Sequence, residues 1–411
     1  MQKVYVVSDF EGRFDLYINF LIKIGALDEN KLSDSQRKIL NSKKLPWELS
    51  QSELNDLLSI KVKDCLNPNF KGKIVINGDF VSDRVALHLN NFNKPETVKF
   101  VKNWNDACYN MFLSLRQKYK NNLILVAGNH DYYHEIFRDE MALYDAGLKD
   151  TKEKMLKLGL KRYHKIETKD GKKIIIKHAP WATEKQYNEM IKGKNINIKP
   201  KLLEWPHSNN FNDEDGFFWK YFENENSDKN YLTKSSLKEK NCFLISGHTH
   251  EIANMDGNDN TYNKTLANKY NRICTDYNVH TKTGNKINPT TKQYDSIDYF
   301  TIDEDTCAIQ ANDLYDNSLQ YEITPFPEKK QENSEKKDNE QEKEKTNDNI
   351  PPKPKIATWM IALCVIIIGI FFVLHVKILQ HRWNKKYNKK NKNINNATPN
   401  INLNNDGKTI V

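Results

Sequence analysis

Five short segments carry carboxylate, amide and imidazole side chains in a pattern that could do chemistry: Ser8-Asp9-Phe10-Glu11-Gly12, Gly78-Asp79, Gly128-Asn129-His130-Asp131, Lys177-His178-Ala179 and Gly247-His248-Thr249-His250. A pair of divalent ions needs oxygen and nitrogen donors, a carboxylate able to bridge, and open positions for substrate and water. These segments supply the donors. Each has a bland reading on its own: Asp9 or Asp79 as a helix cap, His178 as a satisfied core histidine, His248 and His250 as an exposed turn. Together those readings require a separate coincidence at every segment.

The elements that must position these residues are legible from hydropathy. The segments follow apolar runs at Val4–Val7, Ile74–Ile76, Leu123–Ala127, Ile174–Ile176 and Phe243–Ile245. Short apolar runs ending in Gly, Asn, Asp or His read as buried strands that deliver polar loops at one sheet edge. Between them, Leu16, Phe20, Leu21 and Ile24 sit at helical spacing before Gly25, and Val98, Val101, Trp104, Cys108, Met111, Phe112 and Leu115 form one apolar face over 94–118. Residues 28–73 read as a helical insertion with Leu49, Leu54, Leu57 and Leu58 buried. Alternating strands and helices predict an α/β layer structure with ligands at the carboxyl strand ends.

Later segments are less regular. Residues 180–240 hold Trp205, Phe217, Phe218, Trp219, Tyr221 and Phe222 in polar surroundings, either a cap over the site or a peripheral helical pair. Residues 254–296, rich in Asn, Thr and Tyr, read as a long loop or an irregular hairpin. Tyr299–Ile302 and Cys307–Gln310 read as a closing strand pair.

The net charge of +9 over 411 residues is unevenly spread. Residues 328–355 balance eight Lys against eight Asp or Glu, whereas 377–411 carry eight Lys or Arg against one Asp, which leaves +2 for residues 1–327. The basic character thus belongs to a tail, and no nucleic-acid polymer is expected as a partner of the globular part. The six cysteines form no Cys-x-x-Cys pair and fit a reducing compartment. With the first motif starting at Ser8, a cleavable signal would remove the strand that carries Asp9, so we expect none and a cytosolic catalytic domain.

Residues 356–376 contain no Asp, Glu, Lys or Arg and are dominated by Ile, Val, Leu, Phe and Ala. At 1.5 Å per residue that length just crosses a hydrocarbon core of about 30 Å. Trp359 at one end and His381, Arg382 and Trp383 beyond the other suit interfacial anchoring. Six Lys or Arg in the twenty residues before the run and seven in the twenty after give near-parity, so charge alone sets no orientation. We expect a single-pass membrane protein organised as a domain over 1–325 with insertions at about 28–73, 180–240 and 254–296, a charged flexible linker over 326–355, a transmembrane helix over 356–376 and a basic Asn/Lys-rich tail over 377–411. If the tail too is cytosolic, it could bind anionic lipid headgroups.

In their order and spacing, the five motifs resemble the calcineurin-like metallophosphoesterase superfamily across roughly residues 1–310. The resemblance implies a four-layer α-β-β-α sandwich with a cap insertion and two divalent ions, with Mn favoured and Fe, Zn or Mg as alternatives. It implies Asp9 as a ligand of the first metal, Asp79 as the bridge, Asn129, His178 and His248 as ligands of the second, and His250 as a further ligand of the first. His130 resembles the non-ligand histidine that contacts the phosphate or protonates the leaving oxygen, with Asp131 orienting its ring. Arg84 could grip phosphate oxygens bidentately; pairing with Asp83 at the surface is its other reading.

Two departures stand out. The family's first motif usually reads Asp-x-His, and Glu11 occupies the histidine's position, which favours a hard ion there if Glu11 binds and weakens the first site if it points aside. The segment Gly78-Asp79-Phe80-Val81-Ser82-Asp83-Arg84 is one residue longer than the usual Gly-Asp-x-x-Asp-Arg. The early motifs and His178-Ala179 look like the phosphoprotein phosphatase branch, which includes symmetrical diadenosine tetraphosphatases, whereas Gly247-His248-Thr249-His250 is commoner in the broader superfamily. The expected function is a membrane-anchored phosphatase acting on phosphoserine, phosphothreonine or phosphotyrosine in proteins, by in-line attack of a water activated between two metals. The alternatives are a hydrolase of nucleotide pyrophosphate bonds or lipid headgroups, a phosphodiesterase in class, and an inactive membrane adaptor that keeps the fold.

Overall fold

The computed structural model describes residues 2–82, 95–133, 142–194, 197–199, 201–202, 217–218, 231–248, 267–268, 271–275, 298–318 and 320–326. The chain divides into two compact units, Met1–Lys330 and Gln331–Val411. The described residues all belong to the first. The linker, the 356–376 run and the tail lie outside the described residues, and among the described residues no helix is long and apolar enough to cross a membrane.

The five apolar runs are strands: β1 (Lys3–Val7), β2 (Lys73–Asn77), β3 (Leu123–Val126), then β5 (Lys173–Ile176) and β6 (Cys242–Ser246). The others are β4 (His164–Glu167), β7 (Arg272–Cys274), β8 (Asp298–Asp303), β9 (Ile309–Asp313) and β10 (Gln320–Ile323). They make a six-stranded sheet in the order β10-β9-β8-β1-β2-β3 and a four-stranded sheet in the order β4-β5-β6-β7. Strands β1, β2 and β3 run parallel, as do β5, β6 and β7, so the carboxyl ends that carry motifs share an edge within each sheet. The closing pair β8–β9 is antiparallel, as its sequence suggests. Residues 254–296, expected as loop or irregular hairpin, in fact hold the buried strand β7, which pairs in parallel with β6.

Side-chain alternation builds the layers. Val4 and Val6 of β1 lie with Val75, Ile124 and Val126, and with Ile174, Ile176, Phe243, Ile245 and Ile273 of the other sheet, in one apolar cluster between the sheets. The intervening residues Val7, Ile74, Ile76, Leu123 and Leu125 point the other way, into a cluster with helix residues such as Phe20, Leu21, Met111 and Leu115. On the far sheet, Ile175, Cys242 and Leu244 do the same with Tyr187, Met190 and Leu237. This period of two places helices outside both sheets, in four layers.

The helices are α1 (Phe14–Lys23), α2 (Asp34–Asn41), α3 (Gln51–Leu58), α4 (Val62–Cys65), α5 (Pro95–Tyr119), α6 (Asn129–Tyr132), α7 (Ala142–Leu156), α8 (Glu184–Ile191) and α9 (Lys234–Glu239). Capping boxes start several of them: Ser33 with Gln36, Ser50 with Glu53, and Thr183 with Gln186 each exchange side-chain and backbone bonds. The insertion over 28–73 is helical, with Leu54 and Leu57 buried and Leu49 and Leu58 partly so.

Candidate metal centre

The loops after β1 and β2 continue the parallel pairing of their strands. Asp9 N donates to Gly78 O at 3.2 Å, Glu11 N to Asp79 O at 2.9 Å and Gly12 N to Phe80 O at 3.1 Å. This zipper sets the Asp9, Glu11 and Asp79 carboxylates side by side. Asp9, Glu11, Asp79 and His248 all have positive φ, at 57°, 47°, 52° and 64°. A side-chain-bearing residue in that region costs on the order of 1–3 kcal/mol, and such residues cluster where function needs a particular side-chain direction.

The loop after β3 is fixed by Asp131. Its Oδ2 accepts from Asp79 N at 2.7 Å and Gly128 N at 2.9 Å, and its Oδ1 accepts from Phe80 N at 2.8 Å and more weakly from Val81 N at 3.4 Å. These bonds of Asp131 all go to backbone amides. The carboxylate clamps two loops through their backbones, because α6 begins at Asn129 and turns Asp131 back toward the open amides of its own first turn. The fit leaves no room at position 128: a Cβ there would lie 2.6 Å from Asp79 N. His130 N donates to Asp79 Oδ1 at 3.1 Å, and its ring Nε2 is 4.0 Å from Asp79 Oδ2.

The second sheet contributes the imidazoles. His178 follows β5, and its Nδ1 is 3.0 Å from the carbonyl of Asn77, which can only accept, so Nδ1 carries a proton. Its Nε2 faces the site, 2.8 Å from Asn129 Oδ1 and 3.4 Å from Asp79 Oδ1. Asn77 Nδ2 donates to Lys177 O at 3.1 Å, tying the two sheets together beside the site. His248, after β6, stacks obliquely on His178 with centroids 5.0 Å apart, and its backbone N–H donates to Asp9 at 3.3 and 3.4 Å.

Burial and neighbouring charge act together on these groups. Burial opposes charge on Asp79, yet His178, His130 and His248 hold its carboxyl well below the usual carboxylate range. Burial alone would depress His178, but the Asp79 and Asp9 carboxylates raise it to about 10. Burial and the Asp79 charge push Asp131 up to about 7 against the pull of its amide donors. The clustered carboxylates thus favour positive charge beside them.

The donor chemistry fits such cations. Asp79, His178 and His248 offer ligand atoms within 4.8 Å of one another, and so do Glu11, Asp79 and His130, with every member buried. Asp79 belongs to both groups, as a bridging carboxylate would. Glu11 points into the second group rather than aside. Asp9 lies against this cluster, its Oδ1 3.9 Å from His178 Nδ1, and Asn129 reaches it through His178. Arg84 and His250 lie outside the described residues.

A family model for calcineurin-like phosphoesterases matches residues 32–252. The chain belongs to that family. Membership assigns residues 32–252 to the calcineurin-like phosphoesterase domain, and the buried donor groups could hold metal ions. The matched span begins after Asp9 and Glu11, so their place in this phosphoesterase domain rests on the loop geometry above. Among solved structures, a protein serine/threonine phosphatase from Saccharomyces cerevisiae shares 12% identity at a TM-score of 0.29, covering 60% of this chain and 61% of that one. This chain therefore spans about three fifths of the length of that phosphatase. A cold-active protein tyrosine phosphatase shares 11% identity at a TM-score of 0.36, covering 78% of each chain. Overlaps this loose carry no argument about activity. No curated protein sequence matches the chain.

Beside the site, Phe218 packs on Tyr132 and Tyr133 with ring centroids 5.1 and 6.3 Å apart, so part of the 180–240 insertion abuts α6. Trp205, Trp219, Tyr221 and Phe222 lie outside the described residues. Sequence reading missed Asn77, which fixes the tautomer of His178. Its only signal was a polar residue ending an apolar strand.

Proposed function

We propose that this chain is a membrane-anchored phosphoester hydrolase that acts on phosphorylated side chains of proteins. The observation that carries the hydrolytic part is the pair of buried donor groups sharing Asp79. The proposed ligands are Asp9, Glu11, Asp79, Asn129, His178 and His248, with His250 completing the first site. The oxygen-rich side around Glu11 and Asp79 favours a hard ion, and we propose Mn before Fe, Zn or Mg. Bound, the ions would supply Lewis-acid activation of water and neutralise phosphoryl charge.

The chain's own residues do the rest. Asn77 holds a proton on His178 Nδ1 and keeps Nε2 turned inward, while Asp131 fixes the Asp79 and Asn129 loops relative to each other. His130 Nε2, beside Asp79, is the atom proposed to hold a proton and pass it to the leaving oxygen. Arg84 is the proposed grip on phosphate.

The anchor rests on the uncharged 356–376 run, and a cytosolic catalytic face is supported by Cys65, Cys108, Cys242, Cys274 and Cys307, all buried free thiols. Tethering would raise the effective concentration of the enzyme at substrates on the same membrane. A nucleotide pyrophosphatase or lipid-headgroup diesterase is the second reading. The aromatics described near His130 do not favour it: Tyr132, Phe217 and Phe218 are buried against one another, and their faces are not open to a base. The intact donor cluster speaks against an inactive adaptor.

The discriminating experiment compares turnover of phosphopeptides with that of a dinucleoside tetraphosphate, in Mn2+, using the full chain. Preference for phosphopeptides is expected; preference for the dinucleotide would replace the substrate assignment. Protease protection of the domain in sealed vesicles checks its sidedness.

A further inference from the structure

The long helix α5 carries, among its buried apolar residues, one fully buried amide that no motif accounts for. Asn105 is 0% exposed and lies one turn from Cys108 and two from Phe112. At spacings of three and seven residues these side chains share a face. That face backs onto both metal loops. Phe112 packs on Phe80, with centroids 5.5 Å apart, and Cys108 Sγ is 3.4 Å from Gly12 O.

Asn105 meets the same loops with a different chemistry. Its Oδ1 accepts from Ser82 N at 2.9 Å, and its Nδ2 donates to Ser82 O at 2.9 Å and to Val101 O at 2.8 Å. One amide thus pairs with both backbone groups of one residue, and Ser82 is itself 1% exposed. The same Asn105 oxygen bears on the first loop. A Cβ at Gly12, whose φ is +82°, would come 2.8 Å from Asn105 Oδ1 and 3.2 Å from Ser82 O. Gly12, bonded to Phe80, ends the backbone zipper that sets Glu11 beside Asp79, and Ser82 lies two residues beyond Phe80 on the second loop.

We propose that Asn105 is a positioning residue for the metal centre, locking the Glu11 and Asp79 loops at one spacing through the backbone of Ser82. It touches neither metal nor substrate. The proposal rests on the metal-site reading above and adds to it the part that keeps the two carboxylate loops in register. Asp at this position would keep an acceptor for Ser82 N but lose the donor for Ser82 O, and Leu would offer neither.

The test is Mn2+ binding to the full chain in detergent, by equilibrium dialysis and electron paramagnetic resonance, for wild type, Asn105→Leu and Asn105→Asp. Leu115→Ala, on the same helix, serves as the control. Loss of groups that orient metal ligands typically weakens metal affinity about 10–100-fold. We expect that loss in both Asn105 variants, with Leu115→Ala lowering Tm while keeping wild-type affinity. Wild type that binds no Mn2+ would overturn the metal reading and the proposal with it. Two Mn2+ bound by wild type, and affinities within about twofold in a folded Asn105 variant, would overturn the proposal alone. If neither variant folds, hydrogen exchange at Ser82 in wild type decides. Slow exchange upholds the clamp, and exchange at the rate of an open loop refutes it.

Discussion

His178 shows how one side chain ties fold to function. Asn77 O fixes its proton on Nδ1, and Asp79 and Asp9 raise the second ionisation, at Nε2, to about 10. Both carboxylates favour the protonated ring beside Asp79. Its folded value lies above the ordinary 6.5, so the pair's stabilisation is fully present below pH 6.5 and is lost as pH rises through about 10. A metal needs the Nε2 lone pair and must displace that proton. Mn2+ binding at pH 7.5 should therefore release a proton, and apparent affinity should rise with pH up to about tenfold per unit between 6.5 and 10. Calorimetry in buffers of different ionisation enthalpy measures the release; the same apparent heat in every buffer would contradict it. Glu11 belongs to this scale as well. The sequence left open whether it turns toward the site, because that depends on a left-handed backbone and a zipper to residues far along the chain.

The motif-bearing strands were readable because parallel strands covered on both faces are continuous apolar runs. Strands β4, β7 and β10 were not, and the sheet order says why. Among the described residues each is an edge strand, short and with polar residues, His-Lys-Ile-Glu, Arg-Ile-Cys and Gln-Tyr-Glu-Ile, paired in the sheet on one side. Asn105 hid for the converse reason, a polar residue inside an apolar helical stripe that only the tertiary fold shows to be satisfied. Element-level stability should divide accordingly. Phe243→Ala empties part of the inter-sheet core and should cost about 3–5 kcal/mol, whereas Ser50→Ala removes one capping bond and should cost about 1 kcal/mol. Denaturant melts of the domain check both, and equal costs would contradict the layered core described here.

For the whole molecule, the division after Lys330 separates the phosphoesterase unit from a region whose sequence is a charged polar stretch, an apolar run and a basic tail. Deleting 331–411 should leave phosphoester hydrolysis within about twofold of the full chain and abolish co-flotation with lipid vesicles. This follows because about 20 apolar residues are what a bilayer span needs and the first unit has no comparable helix among its described residues. Flotation of the truncated chain would place the membrane contact in the domain instead. On the proposed function, a dinuclear site sharing Asp79 does the chemistry. Its most direct test is Mn2+-dependent hydrolysis of p-nitrophenyl phosphate and its bis-ester by the full chain, beside Asp79→Asn. Turnover that vanishes on chelation and falls by on the order of 10²–10³ in the variant is the expected result. Failure to hydrolyse either ester, or equal turnover by Asp79→Asn, would contradict it.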